Sequence, residues 1–139
     1  MQLKYDIFGK DGVTRVRVWG SSERELFGNA LLGLAALLRP DVAPENRKTV
    51  RVRAHTHGKN LSDLLGEFLD NVIFENEMHN AVFSAMDIIH FSDKEIECEL
   101  IGKHIDHVEE EIHAVALVGS GIQRTKLHHW EAEFVPEFV

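Results

Sequence analysis

The stretch NLSDLLGEFLDNVIFENE, residues 60–77, is the most strongly patterned part of the sequence. Its large apolar residues recur at helical spacing with polar residues between them, which predicts an amphipathic α-helix. Asn60 is a favourable N-cap, and Asp63 can accept backbone hydrogen bonds at the positive end of the helix dipole. Burial of each large side chain is worth about 1.5–3 kcal/mol, so we predict that this helix packs against a β-sheet. The apolar face consists of Leu61, Leu64, Leu65, Phe68, Leu69, Val72 and Ile73.

The sequence before this helix predicts a β-hairpin and one further helix. Residues 2–8 and 13–19 alternate between apolar and polar side chains around the turn-forming GKDG at 9–12. Ser22 and Glu25 have the spacing of a capping box, and Pro40 ends the helix that follows. This helix has little polar face near its end, so we expect it to be covered on more than one side, by the loop at 39–46 or by another chain.

The rest of the chain is predicted to be mostly strand, which decides the fold class. Extended patterns occur at residues 49–55, 81–91, 95–101, 111–118, 122–128 and 130–135. Strands and helices do not alternate regularly, which favours an α+β fold with two helices packed on a mixed, largely antiparallel β-sheet. At 139 residues the chain fits a single domain spanning residues 1–139, and the sequence leaves the strand order open.

Composition narrows the classes of function. With 15 basic and 23 acidic residues the formal charge is −8, which argues against the broad basic surface that direct nucleic-acid binding needs. The single cysteine, Cys98, cannot form an internal disulfide, and no apolar run approaches the roughly 18 residues that span a bilayer. We therefore expect a cytoplasmic protein that contacts neither membrane nor nucleic acid directly, with its oligomeric state undetermined.

Histidine is the residue type that most suggests metal chemistry, because nine are present. His104 and His107, with His55, His57 or His113 as a third ligand, could hold zinc with an open position for water, as in a small zinc hydrolase. No HExxH motif and no paired cysteines support this site, and scattered surface histidines are the simpler explanation of the count.

Other catalytic or binding groups find less support in the sequence. Ser120 lies in a Gly-Ser-Gly turn without the context of a nucleophile elbow, and acidic neighbours should raise the pKa of Cys98. Trp130 and Phe134 fall on one face of a predicted strand, which favours a place in the core over a partner surface.

Several segments together resemble the archease family over nearly the whole chain. They are SSERELFGNALLGL from residue 21, DLLGEFLDNVIF from residue 63, AVFS at 81–84, Gly102, the strand at 112–118, and Trp130 with Ala132. The resemblance implies an α+β fold and a non-enzymatic role. Archeases are small cytosolic proteins that help a 3′-phosphate RNA ligase, which acts in tRNA splicing and RNA repair, to become guanylylated and to turn over.

The polar signatures of the family are altered in this chain. The family has His-Thr-Ala-Asp before a strand ending in an aromatic residue and glycine. Here Trp19-Gly20 ends that strand, and Val13 stands where the metal-binding Asp belongs. The nearest carboxylate is Asp11, and the family's C-terminal Asp and aliphatic residue become Glu137-Phe138-Val139.

By resemblance, the candidate metal ligands are therefore Asp11, Glu137 and the terminal carboxylate of Val139, which suit calcium or a similar hard divalent cation. The alternative is that Asp11-Gly12 is a hairpin turn and Glu137 a solvated residue of the tail. The resemblance implies an RNA ligase as the protein partner. A zinc hydrolase using His104, His107 and His113, or a metal-free interaction domain, are the alternative functions.

Overall fold

The computed structural model describes residues 4–38, 48–106, 111–126 and 129–139. Within these ranges the chain forms two helices and eight strands, which confirms the α+β prediction. The elements are, in chain order, β1 (Tyr5–Lys10), β2 (Val13–Gly20), α1 (Glu23–Leu38), β3 (Thr49–His57), α2 (Leu61–His79), β4 (Ala81–Phe91), β5 (Glu95–His104), β6 (Ile112–Leu117), β7 (Gln123–Arg124) and β8 (Trp130–Phe138).

The described strands form two separate antiparallel sheets. The five-stranded sheet has the order β1-β2-β8-β6, and β7 also pairs with β8. The three-stranded sheet has the order β3-β5-β4. The C-terminal strand β8 therefore lies in the interior of its sheet, between β2 on one edge and β6 and β7 on the other.

Helix α2 has the predicted start and the predicted buried face. The Asn60 side chain accepts a hydrogen bond from the Asp63 N–H at 2.9 Å, and the Asp63 carboxylate accepts one from the Lys59 N–H at 2.8 Å. These reciprocal bonds satisfy free backbone donors at the helix start. Six of the seven predicted apolar residues are buried, and Leu61 packs partly buried against the core. The helix contacts β6 of one sheet and β3 of the other, so the predicted sheet partner is in fact two sheets.

Helix α1 also contacts both sheets, through β2 on one side and β4 on the other. Two covering layers explain why the sequence shows so little polar face near its end. The loop at 39–46 that was expected to cover it lies outside the described residues. At its start the predicted capping box is shifted by one residue: Ser22 accepts from the Glu25 N–H at 3.1 Å, whereas the Glu25 carboxylate accepts from the N–H of Ser21 at 3.0 Å.

The remaining strands follow the predicted pattern with one shortened element. Residues 122–128 were predicted as one strand, but β7 covers only Gln123–Arg124, and residues 127–128 lie outside the described chain. The Thr125 N–H donates to the carbonyl of His129 at 2.7 Å, so the chain turns there and returns as β8. Neither helix within the described ranges is long and apolar enough to cross a membrane.

Candidate functional site

The turn at Asp11 and the end of β8 lie at the same end of the five-stranded sheet. Asp11 and Gly12 have positive φ angles of 53° and 78° and connect β1 to β2, as expected for an Asp-Gly hairpin turn. In the β2–β8 ladder Val16 faces Phe134, so continuing the register places Val13 opposite Glu137. Topology thus puts an apolar residue across from Glu137 and places Asp11 just beyond it in the turn.

The chain end that carries the other two predicted ligands is held against β6. Glu137 pairs with Ala114 in the β6–β8 ladder, and the N–H of Val139 donates to the carbonyl of Glu111 at 3.1 Å. Both residues are exposed, so the side-chain carboxylate of Glu137 is accessible. The metal set of Asp11, Glu137 and Val139 stays a prediction.

Asp70 of α2, a carboxylate that was not predicted as a ligand, lies within electrostatic reach of Glu137. The backbone N–H of Val115 donates to Asp70 Oδ1 at 2.9 Å, which ties the middle of α2 to β6. Burial raises the pKa of the Asp70 carboxyl. The hydrogen bond from Val115 opposes this shift, the nearby Glu137 carboxylate raises the pKa further, and His113 lowers it. The structure therefore brings Asp70, Glu137 and His113 within electrostatic reach of one another.

A groove of about 410 Å³ runs between the first half of α2 and the chain that follows β6. We call it the acidic groove. One wall carries Asp63, Glu67 and Asp70, and the other is formed by Val115, Leu117 and residues 119–121. Three of its six polar lining residues are therefore carboxylates, and the other three are uncharged.

A second hydrogen bond, besides that from Val115 to Asp70, fixes the far wall of the acidic groove to the helix. Ser62 Oγ accepts a hydrogen bond from the Ile122 N–H at 2.9 Å. Gly121 has a φ of +86°, and a Cβ at this residue would meet the Ser62 side chain, so the close approach requires glycine. The Gly-Ser-Gly segment is a turn, as the sequence predicts. Ser120 accepts a hydrogen bond from Gln123 Nε2 at 2.7 Å within this segment, so its role here is structural.

The predicted zinc hydrolase site stays a prediction, because one of its ligands lies outside the described residues. His104 lies at the end of β5 and His113 on β6, whereas His107 lies outside the described residues. In the described ranges, the one group of three metal-binding side chains within mutual reach is His55, His57 and Glu95, which is a different set.

The remaining candidates are part of the core. Burial, with Glu97 as a smaller contribution, raises the pKa of the Cys98 thiol to about 11, which confirms that it is unsuited to nucleophilic chemistry. Phe134 is fully buried and Trp130 packs partly buried against the core, with the Arg124 guanidinium over its ring at 4.7 Å.

The carboxylates of Asp70 and Glu137 can attract cationic groups. Carboxylate oxygens are the donors that hard divalent cations prefer. Val13 offers no ligand opposite Glu137, whereas Asp70 is a further carboxylate within electrostatic reach of Glu137. A hard divalent cation held by Asp11, Glu137 and Val139 stays a prediction.

Comparisons with known proteins agree with the fold. The sequence profile of the Archease protein family matches residues 5–136. The solution structure of Methanobacterium thermoautotrophicum protein 1598 is 18% identical with a TM-score of 0.69, and the match covers 96% of this chain and 98% of that one. The crystal structure of an archease from Thermotoga maritima, described as a possible chaperone, is 15% identical with a TM-score of 0.60 and 88% coverage of both chains. No curated protein sequence matches the chain. The family match spans almost all of the described chain, and the protein is a member of the archease family.

Proposed function

We propose that the protein is a non-enzymatic, cytoplasmic accessory protein that binds a 3′-phosphate RNA ligase and assists its metal-dependent guanylylation during tRNA splicing or RNA repair. Two findings support this proposal: membership of the archease family, and the description of the Thermotoga maritima archease as a possible chaperone. The observation that carries it is the acidic groove, whose carboxylate Asp70 lies within electrostatic reach of Glu137 on β8.

The charge pattern explains why this groove suits a ligase as partner. On the exposed face of the three-stranded sheet, glutamates are paired with arginines, as in Arg51–Glu99 at 2.9 Å. Within the described residues, no cation lies within ion-pairing distance of Glu67 or Asp70. An enzyme that binds RNA needs basic surface to neutralise phosphates, and the acidic groove is complementary to such a surface.

A hard divalent cation belongs to the same proposal. Glu137 and Asp70 would hold it, with Asp11 and the terminal carboxylate of Val139 as further oxygen donors at this end of the sheet. When bound, the cation supplies positive charge that can neutralise phosphate oxygens. The Val115 N–H fixes the position of the Asp70 carboxylate, and Glu137 is exposed, so its side chain is accessible to a partner.

The experiment is a reconstitution with the RNA ligase of the same organism. The ligase is incubated with labelled GTP and a divalent cation, and the guanylylated fraction and the number of ligation turnovers are measured with and without this protein. We expect stimulation at substoichiometric amounts. Glu137→Gln and Asp70→Asn should each lower the stimulation about tenfold or more, because either change removes a charge that faces the partner.

Glu99→Gln is the matched control. It makes the same chemical change on the exposed face of the three-stranded sheet, where Glu99 is paired with Arg51, and it should stimulate as well as the unmodified protein. A ligase that is indifferent to the protein at equimolar amounts would refute the proposed function. Equal losses in Glu99→Gln and Asp70→Asn would instead show that net charge matters and the acidic groove does not.

A further inference from the structure

Two imidazoles and one carboxylate converge on the exposed face of the three-stranded sheet, on the side away from α2. His55 and His57 alternate with Ala54 and Thr56 along β3, and the latter two are buried. Successive strand residues point to opposite faces, so both histidines share the outer face. In the β3–β5 ladder His57 faces Glu95, which brings the carboxylate to the same end of the sheet.

The distances between the three side chains are close to those of a metal centre. His55 Nε2 lies 2.6 Å from Glu95 Oε1, and His57 Nε2 lies 3.8 Å from Glu95 Oε2. The two imidazole rings are 4.5 Å apart between centroids, and one ligand atom from each residue lies within 4.8 Å of the other two. In a tetrahedral zinc site with bonds of about 2.0–2.1 Å, ligand atoms are roughly 3.3 Å apart. Shifts of about 1 Å in the positions of the ligand atoms are therefore sufficient to reach the geometry of a zinc site.

The side chains are free to make that adjustment while the backbone beneath them is fixed. The side chains of His55 and His57 are 45% and 68% exposed, so rotation meets little steric resistance. Their strand pairs with β5 in continuous register from Thr49 to His57, so the positions of the Cα atoms are set by the sheet. A site of this kind binds metal without changing the fold.

On the outer face of the three-stranded sheet, the end that carries Glu95 differs from the rest in the residues that face the glutamates. Further along the strands, Arg51 pairs with Glu99 at 2.9 Å and Arg53 with Glu97 at 3.3 Å. Arginine has no lone pair to offer a metal, whereas a neutral imidazole does. At the end of the row two histidines replace the arginine and meet at the single carboxylate of Glu95.

We propose that His55, His57 and Glu95 form a zinc site with two imidazole nitrogens, one carboxylate oxygen and an open fourth position for water or for a ligand from another molecule. Two histidines and a glutamate with an open position are an established donor set for zinc. The site lies on the opposite side of the three-stranded sheet from the helix that lines the acidic groove, and it is independent of the proposed ligase-assisting function.

The test is a titration of the full chain with Zn²⁺ by calorimetry and with Co²⁺ by visible absorption, which reports four-coordinate geometry. We expect one zinc per chain at this site and cobalt bands of a four-coordinate centre. His57→Asn should weaken zinc binding more than roughly tenfold, since even loss of an outer-shell partner costs that much at a metal site. Both histidines are exposed, and an unchanged far-ultraviolet circular dichroism spectrum would verify that the variant folds.

His79→Asn is the matched control, because His79 lies 3.1 Å from Glu75 and so offers the same imidazole–carboxylate pair with only one imidazole. This variant should bind zinc like the unmodified chain. The proposal is overturned if the chain takes up no zinc at micromolar concentration. It is equally overturned if His55→Asn and His57→Asn bind as tightly as the unmodified chain, since the zinc would then sit on other histidines.

Discussion

Replacing Phe68 with alanine is expected to lower the free energy of unfolding by about 3–5 kcal/mol. Phe68 is 0% exposed in the buried face of α2, and its ring centroid lies 5.6 Å from that of Phe27 on α1. Returning a buried phenylalanine to water accounts for about 1.5–3 kcal/mol of the loss. The rest comes from the cavity, because two helices and two sheets meet around the ring and limit how far the core can collapse.

Urea unfolding followed by circular dichroism measures the effect, with the m-value checked for two-state behaviour. Phe74→Ala is the matched control, because Phe74 lies on the same helix but is 55% exposed, and it should change stability by less than about 0.5 kcal/mol. A loss below about 1 kcal/mol for Phe68→Ala, or equal losses for the two variants, would show that α2 does not bury this face.

Three further outcomes are expected. Gly102→Ala should cost at least about 2 kcal/mol in thermal or urea unfolding, because the added Cβ would overlap the carbonyl oxygen of Val82 in the paired strand, and a variant of unchanged stability would contradict this. Since the pKa of the buried Cys98 thiol is raised to about 11, the native protein should react with a thiol reagent far more slowly than the urea-unfolded chain, and equal rates would be inconsistent with burial. Since the pKa of Asp70 is raised in the folded state, that state holds its proton more tightly and Asp70 lowers stability as the pH rises from about 3.5 to about 7. Asp70→Asn keeps an acceptor oxygen for Val115 and should remove this part of the loss in urea titrations without divalent cations, and an unchanged pH dependence would count against the raised pKa.

The sequence predicted the local features of the fold well because they depend on neighbouring residues. The period of the apolar side chains located α2, and Asn60 with Asp63 located its start to the residue. The Asp-Gly turn of the first hairpin was also readable, since its backbone angles require residues that tolerate positive φ.

Features that depend on distant pairing could not be predicted. The division of the strands into two sheets places β8 between β2 and β6, and no local pattern encodes that order. For the same reason the sequence could show that α1 is covered on more than one side but could not identify the two sheets that cover it.

In the candidate site, too, the contacts between residues far apart in the chain could not be predicted from the sequence. Asp70 looked like one of the polar spacers of an amphipathic helix, and its role emerges only because Val115 and Glu137 approach it from 45 and 67 residues further along the chain. The pairing of Glu95 with His57 likewise depends on the β3–β5 register, although the His-x-His spacing was visible in the sequence.

The distribution of countercharge, more than the net charge, distinguishes the two faces of this protein. On the outer face of the three-stranded sheet, Arg51 and Arg53 neutralise glutamates across the strands, so that face presents little unbalanced charge despite its many ionic groups. In the acidic groove the carboxylates of Asp63 and Asp70 each accept one backbone hydrogen bond, and within the described residues no cation lies within ion-pairing distance of Glu67 or Asp70. An excess of acidic residues spread evenly over the molecule would repel anions without selecting a partner. Under the proposed function, the carboxylates grouped in the acidic groove would orient a basic partner there.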